Sequence, residues 1–167
     1  MYQQTDIKLK TEKYVSLIKR LSSTFGPYAK ISATHLACFL YNFLEEKEQK
    51  QELHKLFIDL GRSEHPTVRK SLAITLRNIS QASFTETLKD LLNLLDQLSQ
   101  DPNVLTRYNL IPLIEIMSEL AKDQTTRLRL LSVIRDFQCE GNWKLTVGIL
   151  EKIDSVGSAD RKAVDDL

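Results

Sequence analysis

The side chains able to do chemistry are few, and their spacing argues against catalysis. Three histidines, His35, His54 and His65, fall in different segments. None makes an i, i+4 pair with another His, Cys or acid in a recognisable metal-ligand pattern. The two cysteines, Cys38 and Cys139, lie far apart, each within or beside an apolar helical run. They read as reduced, packed thiols of a cytosolic protein. No glycine-rich phosphate loop and no GxSxG nucleophile turn is present. The acid pairs Glu45-Glu46 and Asp165-Asp166 read as solvated helix ends. The sequence therefore predicts a protein that is not an enzyme and takes no cofactor or metal. Trp143, the single tryptophan, falls at a predicted turn. Tryptophan is enriched at interface hot spots. Two readings stay open for it: contact with a partner, or packing back onto the next helix pair. Phe25 and Tyr28 pose the same question at the first turn.

Charge excludes further classes. The net charge is +1, whereas a nucleic-acid binder is usually strongly basic. The clusters Lys19-Arg20, Arg69-Lys70 and Arg127 with Arg129 are interleaved with acids and apolar residues, and read as solvated helix faces. The polar start MYQQTDIKLK is no secretory signal. No apolar run approaches the ~20 residues of a membrane span. The expectation is a soluble protein of the cytoplasm, with the nucleus as a second compartment, bound to neither nucleic acid nor membrane.

The elements that must position these residues are helices. Apolar residues recur at three- and four-residue spacing and never sustain a period of two. Breaks at Phe25-Gly26-Pro27, Gly61 to Pro66, Ser83, Asp101-Pro102, Asp123, Glu140-Gly141 and Val156 to Ser158 cut the chain into eight segments. Pro27, Pro66 and Pro102 stand where helices begin, since proline is tolerated in a first turn. Ser83 with Glu86 fits a capping box. Pro112, inside an apolar run, predicts a kinked helix rather than a break.

The eight segments form a repeat. Lys30, Arg69, Arg107 and Thr146 are equivalent positions, spaced 39, 38 and 39 residues apart. Upstream stand three apolar columns: Tyr14, Leu53, Leu91 and Leu130; Ile18, Phe57, Leu95 and Ile134; Leu21, Leu60, Leu98 and Phe137. Downstream stand three more: Ala33, Leu72, Leu110 and Ile149; Ala37, Leu76, Ile114 and Ile153; Leu40, Ile79, Met117 and Val156. At 42% apolar composition, chance does not fill every one of these places. Each unit is thus a helix, a turn and a second helix. It is unstable alone but shares a core when stacked. The approximate repeats are 9–46, 47–82, 84–122 and 124–157, with 158–167 beginning a further repeat or a tail. The basic anchors Lys30, Arg69 and Arg107 predict an inter-repeat ladder with turn acids or carbonyls, which Thr146 interrupts.

This register, with the PTVR turn at Pro66 to Arg69 and the segment LFIDLGRSEHPTVRKSLAITLRNIS from Leu56 to Ser80, resembles HEAT repeats. Leu17 to Leu21 (LIKRL), Lys30 to Phe39 (KISATHLACF) and Trp143 before Lys144 are similar to the scaffold (A) subunit family of protein phosphatase 2A, around its fourth to seventh repeats. The resemblance implies an all-α superhelix, a HEAT-repeat solenoid of about four helix pairs, acting as a non-catalytic protein-binding scaffold. It implies docking on the ridge of intra-repeat turns, with phosphatase regulatory and catalytic subunits as partners within a larger complex. The contact candidates are then Phe25, Tyr28, Glu64, His65, Asp101, Asn103, Trp143 and Lys144. The competing expectation is a structural subunit embedded in a larger assembly without a phosphatase, because four repeats whose ends carry ordinary core columns are few for a free solenoid.

Overall fold

A computed structural model describes the backbone of residues 2–79 and 81–152, and the side chains of 11–79 and 88–152. Nine helices occur among the described residues, and no strand. Two compact units make up the chain, Met1–Ser83 and Phe84–Leu167.

The first unit holds α1 (Tyr2–Ser22), α2 (Pro27–Tyr41), α3 (Lys47–Gly61) and α4 (Pro66–Leu76). Pro27 and Pro66 begin their helices, where a missing N–H removes no intrahelical bond. Within the unit α1 packs on α2 and α3 on α4, while α1 also meets α3 and α2 meets α4. Leu53, Phe57, Leu72 and Leu76 are fully buried between them. Small residues on the facing sides, Ala33 and Ala37 of α2 and Ala73 of α4, let these two helices approach. A polar seam runs along the same contact. Thr34 Oγ1 and Ser71 Oγ are 2.9 Å apart, and Ser71 Oγ lies 3.4 Å from His35 Nε2. Burial pushes the Cys38 thiol up to about 12, against the opposing hydrogen bond of Thr75. This cysteine is therefore an inert packing residue, since the thiolate is the reactive form.

The second unit holds α5 (Gln81–Ser99) from Phe84 onward, α6 (Val104–Tyr108), α7 (Ile111–Leu120), α8 (Gln124–Cys139) and α9 (Trp143–Leu150). Here α7 packs on α8, α8 on α9 and α6 on α9. Leu91, Leu95, Leu113, Met117, Leu130, Phe137 and Leu145 supply its core. Gly148 marks the closest approach. A Cβ there would meet Ile111 Cδ1 and Tyr108 Cε2, each at 2.8 Å. Only glycine lets α9 lie so near the junction of α6 and α7.

Several expectations need correction. Ser83 does not cap a helix, because α5 already begins at Gln81. Pro102 lies outside α6, whose first turn is closed instead by Asn103 Oδ1 accepting from Leu105 N at 2.9 Å. The kink expected at Pro112 is an interruption at Asn109 and Leu110 that separates α6 from α7. Proline removes the N–H that would have bonded the Tyr108 carbonyl, and Leu110 N turns to Arg107 O at 3.0 Å. Cys139 is exposed rather than packed. Every column residue with a described side chain is buried except Tyr14, 54% exposed, and Leu21, half-buried. Ile153 and Val156 lie outside the described residues, as do the side chains of Ser83 and Glu86.

Two outcomes follow from this packing. Gly148→Ala should destabilise the chain by about 1–3 kcal/mol in urea unfolding, the usual penalty of overpacking. The second concerns pH. Asp123 caps α8, its Oδ1 accepting from Thr126 N at 2.8 Å. That backbone bond holds its carboxyl below the ordinary range. A depressed folded pKa stabilises above the unfolded value and is lost as pH falls through the folded value. Unfolding followed by circular dichroism should therefore show wild type losing stability below about pH 3.9. Asp123→Asn keeps a capping oxygen and should lack that component.

Candidate protein-interaction surface

The candidate residues fall on the four turns that join helices within pairs, or in the first helical turn after them. In the first unit these turns are residues 23–26 and 62–65, and in the second 100–103 and 140–142. Each turn must satisfy the free polar groups of two helix ends. Two arginines do this at 62–65 and 100–103, and a third, Arg127, does it at residues 121–123 between α7 and α8, each reaching back six residues to a main-chain carbonyl. Arg69 Nη1 donates to Ser63 O at 2.6 Å, and more weakly to Glu64 O at 3.3 Å. Arg107 Nη1 donates to Asp101 O, and Arg127 Nε to Ala121 O at 3.0 Å. Arg107 makes a further bond within its unit. Its Nη2 lies 2.5 Å from Glu140 Oε2, joining the turn after α5 to the turn after α8. The guanidinium is mostly buried, 12% exposed, so this pair is less screened than a surface one.

The predicted ladder is thus partly a set of staples within turns. Among the described residues Lys30 forms no hydrogen bond or ion pair, while Thr146 Oγ1 donates to Asn142 O at 3.2 Å. Arg127 and Arg129, expected to be solvated, are both engaged. Arg129 Nη2 pairs with Asp96 Oδ2.

The structure sorts the contact candidates into two groups. Asp101 and Asn103 build their turn. Asp101 is 5% exposed, and its Oδ1 accepts from Asn103 N at 2.8 Å. His65 is half-buried as the N-terminal cap residue of α4, with its N–H 3.4 Å from Ser63 Oγ, while Glu64 beside it is exposed. The second group faces water. Phe25 is 98% exposed, Tyr28 84% and Trp143 69%. Trp143 does not fold back onto a neighbouring pair. It begins α9, where Gly141 adopts φ +67° and Asn142 Oδ1 accepts from Lys144 N at 3.1 Å. Lys144 Nζ stands 5.6 Å from the Trp143 ring centroid, a cation–π arrangement.

Sequence reasoning missed a second exposed aromatic pair. Phe39 and Phe43, 65% and 66% exposed, touch with ring centroids 4.9 Å apart. Phe39 immediately precedes the column residue Leu40, so an off-register phenylalanine was the available signal. Among the described residues no three His, Cys, Asp or Glu side chains are grouped to hold a metal ion. No described helix is long and apolar enough to cross a membrane. The chain matches no family model, and no curated protein is significantly similar to it.

Arg107 provides the test of how these turns are held. Arg107→Ala strands Glu140 and the Asp101 carbonyl and should cost about 1–3 kcal/mol by chemical denaturation. Arg107→Lys, which cannot span both partners with one planar fork, should lose part of that. A neutral alanine variant would show that the turns stand without the staple.

Proposed function

We propose that the chain is a non-catalytic protein-binding scaffold of the HEAT-repeat type. In this reading its helix pairs stack as a solenoid and present their intra-pair turns to partner proteins. By resemblance those partners are regulatory and catalytic subunits of a protein phosphatase 2A assembly. One observation carries the reading. Phe25, Tyr28 and Trp143 are large aromatics held on ordered turns yet left in water, 98%, 84% and 69% exposed. Aromatics bring area and rigidity to an interface at small entropic cost, and they contribute little to stability while solvated. The repeated turn architecture supports the same view, because it fixes the positions of side chains that the fold itself does not use.

A second reading, a structural subunit embedded in a larger assembly, has its own support. Phe39 and Phe43, which touch each other, leave apolar surface on the first helix pair uncovered. Contiguous exposed apolar surface marks protein contact more often than solvent.

Affinity capture from native extract separates the two. The scaffold reading expects phosphatase subunits in the captured material. Replacing Phe25, Tyr28 and Trp143 by Ala should reduce that capture at least ~10-fold, since one hot-spot aromatic alone is worth about 2 kcal/mol. Thermal unfolding should stay unchanged. Capture that survives the triple variant, but falls with Phe39→Ser and Phe43→Ser, would favour the embedded subunit.

A further inference from the structure

The first turn carries a feature that docking does not explain. Ser22, Ser23 and Thr24 follow one another at the end of α1, and each hydroxyl donates to a carbonyl three residues back. Ser22 Oγ donates to Lys19 O at 2.8 Å, Ser23 Oγ to Arg20 O at 2.9 Å and Thr24 Oγ1 to Leu21 O at 2.6 Å. Ser23 differs from its neighbours. Ser22 still belongs to α1, and Thr24 is half-buried. Among the described residues Ser23 is the one serine or threonine both exposed and outside a helix. Other serines near basic residues fail on conformation or on access. Ser132, exposed and three residues after Arg129, lies inside α8. Ser71, after Arg69 and Lys70, is 7% exposed, and Ser63, after Arg62, is 8% exposed.

The surroundings of Ser23 have the pattern that arginine-directed kinases read. Arg20 is exposed three residues upstream, and Lys19 one further, 52% exposed. Phe25 projects two residues downstream, 98% exposed. A guanidinium is recognised by paired carboxylates in bidentate fashion, and charge patterns of this kind set kinase–substrate choice. Residues 23–26 are non-helical, and Lys19 and Arg20 lie in the last turn of α1, so an extended substrate conformation requires only that terminal turn to unwind.

We propose that Ser23 is a phosphorylation site for an arginine-directed serine kinase, and that the phosphate loosens the end of α1. In the transfer, Ser23 Oγ attacks the γ-phosphorus of ATP. The bond from that phosphorus to the β-γ bridging oxygen breaks, ADP leaves and the hydroxyl proton passes to the kinase base. The modified side chain no longer donates to Arg20 O. It places about −1.5 to −2 charges beside the carbonyl end of α1, which is the negative pole of the helix. Lys19, now held 2.9 Å from Glu52 of α3, is the nearest engaged cation along the chain and becomes subject to competition from the phosphate. The same charge would stand next to Phe25 and so regulate docking there. That last consequence rests on the scaffold reading, whereas phosphorylation and its effect on α1 do not.

The test uses the full chain, Mg-ATP and calmodulin-dependent kinase II, which reads an arginine at the third upstream position. One phosphate should map to Ser23 by tandem mass spectrometry. Ser23→Ala should abolish it, and Arg20→Ala should slow it at least ~10-fold, the loss of about one charge-assisted contact. The phosphorylated chain should melt about 2–4 °C lower, as expected for a mild destabilisation of a chain this size. No incorporation, incorporation that persists in Ser23→Ala, a rate indifferent to Arg20→Ala, or an unchanged or higher melting temperature would overturn the proposal. Circular dichroism of both variants guards against misfolding as the cause of lost transfer. Because no docking partner enters the assay, its failure is separable from failure of the scaffold reading.

Discussion

Everything in this fold depends on closing short turns between short helices. A helix of ten or fifteen residues is marginal in water by itself, and its terminal N–H and C=O groups stay unpaired. The Arg107 guanidinium shows how one side chain meets both demands. It takes the Asp101 carbonyl of its own turn and the Glu140 carboxylate of the following turn. The Asp101 carboxylate in turn accepts from Asn103 N, and the Asn103 amide oxygen accepts from Leu105 N. A polar end that would otherwise need water is thereby tied down beside a buried apolar core. Arg69 and Arg127 repeat the reach of six residues at two other turns. The motif belongs to the chain geometry of a helix–turn junction, not to one local sequence.

A second regularity shows that geometry precedes charge. Lys19 of α1 pairs with Glu52 of α3 in the first unit, and Asp96 of α5 with Arg129 of α8 in the second. In the repeat register these are the same two positions, each 33 residues apart in sequence, with the signs exchanged. All four side chains are substantially exposed, so neither pair is a large source of stability. What recurs is the closeness of the two places. Any sequence that stacks consecutive first helices brings them together and must avoid like charges there. Opposite charges in either order meet that condition.

Much of this was legible from residue types alone. Apolar spacing gave the helices, because burial of one face demands it. Pro27 and Pro66 marked helix starts through a missing donor, and the break expected at Asp123 falls on an N-terminal cap. What escaped depended on neighbours distant in sequence. Periodicity tells which face of a helix is apolar but not whether another helix covers it, so Tyr14 was expected to be buried and Phe39 and Phe43 went unnoticed. Cys139 was expected to be packed for the same reason. Arg127 and Arg129 read as solvent-facing charge because a long side chain's partner, one a carbonyl across a turn and the other an acid on another helix, leaves no mark in the local pattern. The split at Asn109 and Leu110 turned on whether α6 and α7 keep one axis past a lost hydrogen bond, which a proline alone does not decide.

The candidate surface was legible in position but not in kind. Turn residues were expected to act as one ridge, yet half of the second unit's set is consumed by the turn itself. Asp101 and Asn103 hold backbone groups, and Glu140 is neutralised by Arg107. Once those are set aside, an exposed ring at Trp143 and an ammonium at Lys144 remain beside it. In the first unit the corresponding turn offers Phe25 and Tyr28, with the hydroxyls of Ser22, Ser23 and Thr24 spent on the end of α1. Polar side chains at these turns are therefore mostly structural, while the aromatic ones are surplus to the fold. A partner that gained affinity here would do so by desolvating rings whose backbone positions the turns already set, which limits the ordering penalty. Changing the polar residues would alter affinity chiefly by moving the turn, so loss of binding at Asp101 and loss of binding at Trp143 would have different physical meanings.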